Sequence, residues 1–210
     1  MINIIITDDH ALIREGLKKL IEQRMDMRVT AECTTASEVF DVLKRVDCDV
    51  LVLDINLPDK NGLDLLKELL ATYKHLKVLI LSMHPERMYA MRAIRVGAAG
   101  YLTKSTATTE LIKAIDRIWK GGRYVSETVA EYLAIEVGAP PSESLHEKLS
   151  DREFQVLLLI GSGEAPQDMR KTLSVSLSTI NTYRQRILQK MNMSSNQQLI
   201  RYCIKGNLVD

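Results

Sequence analysis

Five polar side chains stand where apolar runs of this sequence stop. Asp8 and Asp9 follow "INIIIT" (2–7), Asp54 closes "DVLVLD" (49–54), Ser82 closes "KVLILS" (77–82), and Lys104 follows "AAGYLT" (98–103). Two carboxylates about 4 Å apart repel by roughly 4 kcal/mol at an effective dielectric near 20, so three acids brought together need compensation. A hard divalent ion such as Mg²⁺, which takes oxygen ligands, is the natural choice. Carboxylates, a divalent ion, a hydroxyl and a compact ammonium together suit a phosphoryl group carried on a carboxylate. Asp54 would attack the donor, and Ser82 and Lys104 would receive the new oxygens.

That chemistry requires elements that deliver the five residues to one place. The apolar runs read as strands, with "RVTAEC" (28–33) as another, and stretches with helical spacing separate them, such as Ile13, Leu17, Leu20 and Ile21. Alternation of this kind predicts a doubly wound parallel sheet of five strands with helices on both faces. Near-continuous apolar runs fit strands covered on both sides. Such sheets collect ligands beyond the C-terminal ends of their strands, at the switch point of strand order. In a flavodoxin-like order the first strand lies beside the third, and Asp8, Asp9 and Asp54 converge.

The segments "DDH" (8–10), "LVLDINLPDKNG" (51–62), "LILS" (79–82) and "GAAGYLTK" (97–104) resemble the receiver domain of bacterial two-component response regulators. The resemblance covers residues 1 to about 122. It implies that Asp54 is the phosphoacceptor, that Asp9 and Asp54 bind Mg²⁺ directly, and that Asp8 helps through water or hydrogen bonds. The carbonyl of Asn56 would be a further ligand. Ser82 and Lys104 match the switch hydroxyl and the lysine of the family, and Tyr101 matches an aromatic that swings inward on activation. The face built from the fourth helix, fifth strand and fifth helix would then favour a new partner. Pro58 and Gly62 fit the tight loop after the acceptor. His10 and His84 read as tuning residues, because hard Mg²⁺ prefers oxygen.

After Gly121-Gly122 the pattern becomes purely helical. Residues 129–137 suggest a short helix, and "GAPPSES" (138–144) reads as a linker, since Pro-Pro cannot continue a helix. Ser150 and Glu153 form a capping-box pattern, with Phe154, Leu157, Leu158 and Gly161 facing inward. A short helix from Pro166 to Leu173 precedes a longer one whose apolar stripe is Leu177, Ile180, Ile187, Leu188 and Met191. Its other face is polar, which suggests a helix-turn-helix that reads DNA. The wording "LSDREFQVL" followed by "VSLSTINTYRQRILQKMNM" resembles the LuxR/NarL-type DNA-binding domain. Carried over by position, Asn181, Thr182 and Gln185 would face bases, and Ser178, Thr179, Tyr183, Arg184 and Arg186 would lie near phosphates. The last helix, about 196–204, resembles the one through which such domains pair. Pro166, Gln167, Asp168, Met169 and Arg170 depart from the family's Asn-Lys-Glu-Ile-Ala, and Tyr183 replaces a usual His. Those departures keep a rival reading in view: a helical output module that binds protein rather than DNA.

Composition sets the outer bounds. The chain has 210 residues, 46% of them apolar, and no apolar run of the roughly 18 residues a membrane span needs. No secretory leader pattern precedes the first strand, so a cytoplasmic protein that does not engage a membrane is expected. Cys33, Cys48 and Cys203 lack metal-type spacing and read as reduced thiols. Net charge is +1, but the stretch from His146 onward carries nine Lys/Arg against six Asp/Glu, which permits a polyanion partner. The expected organisation is a receiver domain at 1–122, a helical linker at 123–147 and a helix-turn-helix domain at 148–210. The expected partners are a sensor histidine kinase, double-stranded DNA and a second copy of the chain. No second nucleophile or base set accompanies the acids, so an enzyme is not expected.

Overall fold

The computed structural model describes residues 1–84, 86–138, 144–173 and 175–209. The chain divides into two compact units, Met1–Gly138 and Ala139–Asp210. Most of the expected Pro-Pro linker, residues 139–143, lies outside the described residues.

In the first unit five parallel strands, β1 (Ile2–Thr7), β2 (Met27–Cys33), β3 (Val50–Asp54), β4 (Lys77–Ser82) and β5 (Gly100–Thr103), form one sheet in the order β2-β1-β3-β4-β5. The β-branched and leucine-rich runs of β1, β3 and β4 fit a pleated surface buried on both faces. Ile4, Ile5, Ile6, Leu51, Leu53, Leu79 and Ile80 are fully buried. Each such side chain contributes about 1.5–3 kcal/mol of burial free energy. β2 differs: as an edge strand it exposes Arg28 and Glu32.

Helices α1 (Ala11–Glu22), α2 (Ala36–Leu43), α3 (Gly62–Thr72), α4 (Glu86–Val96) and α5 (Ala107–Trp119) connect and cover the strands. Leu17 and Ile21 of α1 and Leu111, Ala114, Ile115 and Ile118 of α5 join the core formed with β1, β3 and β4. β5 is shorter than the apolar run 98–103 suggests. Gly97 ends α4 with φ +118°, and Ala98 and Ala99 complete the turn into the strand. A further helix, α6 (Glu127–Gly138), packs on α4.

The register decides what the fold delivers. Thr7 pairs with Leu53, Asp54 with Leu81, and Ser82 with Thr103. The C-terminal ends of β1, β3, β4 and β5 therefore share one rim.

The second unit is helical: a 3-10 turn at Leu145–Lys148, then α7 (Asp151–Gly161), α8 (Pro166–Leu173), α9 (Leu177–Lys190) and α10 (Asn196–Lys205). α7 begins with the expected capping box between Ser150 and Glu153. It packs against α9 and α10, and α8 packs against α9. Phe154, Leu157, Leu158, Ile180, Ile187, Met191 and Leu199 form the buried interior. Among the described residues no helix is long and apolar enough to cross a membrane.

Candidate functional site

The rim of the sheet brings Asp8, Asp54, Ser82 and Lys104 together, all nearly without solvent contact. Lys104 Nζ lies 2.6 Å from Asp8 Oδ2 and 2.7 Å from Asp54 Oδ2. The other Asp54 oxygen accepts the Asn56 N–H at 3.1 Å. Asp9 stands at the mouth, partly exposed, with its Oδ1 2.6 Å from His10 Nδ1. His10 also donates its backbone N–H to Asp8 Oδ1 at 2.9 Å. Potential ligand atoms of Asp8, Asp9, His10 and Asp54 all lie within 4.8 Å of one another. Among the described residues the three carboxylates outnumber the Lys104 ammonium, an imbalance that an oxygen-seeking divalent cation fits. The His10 ring lies beside these acids, where a tuning residue would stand.

Burial pushes the Asp54 carboxyl up to about 6, against the pull of Lys104 and the Asn56 N–H, and the Asp8 charge adds to the rise. Burial works to lower Lys104, yet the carboxylates of Asp54 and Asp8 outweigh it and hold the ammonium above its ordinary range. The pair thus favours the charged form of Lys104, while burial disfavours the charged form of Asp54.

The loop after the acceptor is tight. Gly62 N–H donates to Ile55 O at 2.7 Å, and a Cβ at Gly62 would meet the Asp54 carbonyl and come within 2.7 Å of Ile55 Cα. Only glycine admits that approach.

On the opposite wall Ser82 Oγ accepts the His84 N–H at 3.1 Å, and Lys104 N–H donates to Ser82 O at 2.7 Å. The His84 ring stacks on Tyr89 with centroids 4.6 Å apart, and its Nε2 accepts from the Asn56 side-chain amide at 3.3 Å. Burial holds the imidazole below its ordinary value. Tyr101 is fully buried and donates its hydroxyl to His84 O at 2.9 Å. The inward position, expected to follow phosphorylation, is the one this structure has. One support carries no motif in the sequence: Arg14, which donates to Asp8 O at 2.8 Å.

In the second unit the polar face of α9 is open. Ser178, Asn181, Thr182, Gln185 and Arg186 are exposed, and Thr179 and Tyr183 are half-buried. Ser176 caps the helix by accepting the Thr179 N–H at 3.1 Å. Arg184 differs from its neighbours: its Nε–H donates to Asn196 Oδ1 of α10 at 2.6 Å. Arg170 is exposed while Met169 and Leu173 of the same helix stay buried, and α8 packs on α9. Arg152 and Lys190 brace the motif, and nothing in their spacing announces it. Arg152 donates to Leu173 O at 2.6 Å, and Lys190 reaches buried Glu153 at 2.6 Å. The three cysteines are free thiols, and burial pushes Cys33 and Cys203 up to about 11 and Cys48 to about 12.

Comparison with known proteins settles the family. The profile of the response regulator receiver domain matches residues 4–116, and that of bacterial regulatory proteins of the luxR family matches residues 147–203. The chain is a LuxR-type response regulator. The match to its second unit holds across Pro166 and Arg170, so the protein-binding alternative is not favoured, and the unit is the helix-turn-helix DNA-binding domain of that family. Response regulator GacA of Pseudomonas protegens is 30% identical over 210 residues, covering 100% of this chain and 99% of that protein. Response regulator UvrY of Escherichia coli K12 is 29% identical over 209 residues, covering 99% and 96%. Among solved structures, RcsB of Salmonella enterica serovar Typhimurium, bound to promoter DNA in the presence of the phosphomimetic BeF3−, superposes with a TM-score of 0.61. It is 26% identical and covers 96% of this chain and 97% of that one.

Proposed function

We propose that this response regulator is switched by phosphorylation of Asp54 and controls transcription by binding promoter DNA as a dimer. In this reading residues 1–122 form the phosphoacceptor domain, 123–147 the connector and 148–210 the DNA-binding domain, all in the cytoplasm. The observation that carries the reading is the placement of Lys104 Nζ within 2.7 Å of both Asp8 and Asp54, at the rim where β1, β3, β4 and β5 end.

Asp8, Asp9, Asp54 and the Asn56 carbonyl would hold Mg²⁺, which when bound supplies charge neutralisation for the incoming phosphoryl group. Ionised Asp54 attacks phosphorus, a P–O or P–N bond to the donor breaks, and the donor leaves with that electron pair. The donor is a kinase phosphohistidine or a small acyl phosphate. Lys104, already set against Asp54, turns to one new phosphoryl oxygen. Ser82 offers its hydroxyl to another. Burial keeps bulk water from the acyl phosphate. Tyr101, lodged inside with its hydroxyl on His84 O, closes the wall behind Ser82.

On α9, Asn181, Thr182 and Gln185 would read base edges, while Ser178, Thr179, Tyr183 and Arg186 position the helix on phosphates. Arg184 enters that set through α10, where Asn196 holds it. The relative RcsB, solved on promoter DNA with a phosphomimetic, supports joining the two activities in one chain. Intact-mass analysis with acetyl phosphate and Mg²⁺ tests the assignment. The wild type gains one phosphoryl group and Asp54→Asn gains none; labelling of Asp54→Asn at the wild-type level refutes it.

A further inference from the structure

The segment after α5 returns to the sheet and grips three elements at once. Tyr101 N–H donates to Tyr124 O at 3.0 Å, and Tyr124 N–H donates to Ala99 O at 2.9 Å, so the outer edge of β5 is paired by the chain itself. The Tyr124 hydroxyl donates to Glu110 of α5 at 2.5 Å. The Ser126 hydroxyl donates to Glu86, in the first turn of α4. Ser126 also opens α6: its carbonyl accepts the Ala130 N–H at 2.9 Å, and its Oγ lies 3.3 Å from the Val129 N. Val129 is buried and α6 packs on α4. Residues 124–126 thus strap α4, β5 and α5, the three elements of the face expected to take a new partner.

The same strap reaches the neighbourhood of the phosphoryl site from two sides. Its partner on β5 is Tyr101 itself, and its partner on α4 lies two residues beyond His84, whose carbonyl receives the Tyr101 hydroxyl.

We propose that Glu86 and Ser126 are positioning residues that latch this strap, hold Tyr101 inside, and pass the state of the Asp54 site to α6. This rests on Asp54 being the phosphoacceptor. A phosphoryl group that favours the inward Tyr101 seen here stabilises the strapped state. By thermodynamic reciprocity, loosening the strap weakens the site's hold on a phosphoryl mimic by the same factor.

Ser126→Asp separates the latch from ordinary helix capping. Aspartate caps a helix start as well as serine does, but here it opposes the Glu86 carboxylate. The experiment uses the full chain with Mg²⁺ and beryllofluoride, reading affinity for the mimic and hydrogen exchange at the Tyr101 and Tyr124 amides. In the wild type the mimic slows exchange at both amides at least about fivefold, the low end of usual couplings. Ser126→Asp loses that protection and binds the mimic about fivefold more weakly or worse. Adding Glu86→Gln removes the repulsion and restores both. Ser126→Asp behaving as wild type overturns the latch, as does a wild type that binds the mimic without change at either amide. A wild type that neither binds the mimic nor accepts phosphoryl from acetyl phosphate overturns the Asp54 reading as well, and its mass spectrum shows which has failed.

Discussion

Asp54 is a carboxylate kept in a place that does not favour its charge. Burial raises it to about 6, above an unfolded value of 3.8. Between those values the folded chain holds the proton more tightly than the unfolded chain. Stability from the protonated form is therefore present below 3.8 and is lost as pH rises through about 6. In Mg²⁺-free protein Asp54→Asn should raise stability at neutral pH by up to about 3 kcal/mol. The gain should shrink toward pH 4, and denaturant titrations at several pH values check it; a gain that does not change with pH removes Asp54 as its source. Asp8, Asp9, Asp54, Ser82 and Lys104 were legible in the sequence because each directly follows or closes an apolar run, and strand ends are where parallel sheets assemble sites. Arg14 and Glu86 were not legible. Each is a charged residue in the first turns of a helix, where solvated charges are common, and only tertiary folding reveals what it bonds.

At the scale of elements, the strand runs predicted β1 and β4 to the residue, because buried parallel strands are continuous in apolar character. β5 fell short of its run because sequence alone does not say that Gly97 adopts φ +118°. The helices of the second unit appeared as expected, but the forces bracing them did not. Glu153, burial notwithstanding, is held below its ordinary carboxyl value by Lys190 and by the Ser150 groups. Its contribution to stability is present above 4.5, its ordinary value, and fades as pH falls below that. Lys190→Met should destabilise the second unit by about 1–2 kcal/mol at pH 7 and less in acid. Thermal unfolding followed by circular dichroism across pH distinguishes this from a pH-independent packing loss. The acceptor loop gives a second case: Gly62→Ala forces a Cβ against the Asp54 and Ile55 backbone. It should slow acetyl-phosphate labelling while α9 still binds DNA; labelling at the wild-type rate would mean the loop yields at little cost.

For the whole molecule, a net charge of +1 conceals a mildly basic C-terminal stretch, enough to favour DNA but not to dominate its recognition. Affinity should therefore depend on few phosphate contacts. Arg186→Ala should lower the slope of log affinity against log salt by about one. Arg184→Ala should lower it less, because Asn196 already engages that guanidinium. Equal slopes for Arg186→Ala and wild type would place Arg186 away from the backbone. The change from alternating strands and helices to helices alone falls near Gly122, whereas the first compact unit runs on to Gly138 because α6 packs on α4. The strap at 124–126 was hidden because a single bridge leaves no periodic trace.

The central claim is that the acidic rim receives a phosphoryl group on Asp54 with a divalent ion beside it. A crystal structure of the full chain grown with Mg²⁺ and beryllofluoride tests this most directly. Beryllium should be bonded to an Asp54 carboxylate oxygen, fluorides should meet Lys104 Nζ and Ser82 Oγ, and Mg²⁺ should lie about 2.0–2.1 Å from oxygens of Asp9 and Asp54. Beryllofluoride bound on another side chain, or Mg²⁺ bound away from these acids, would contradict the account.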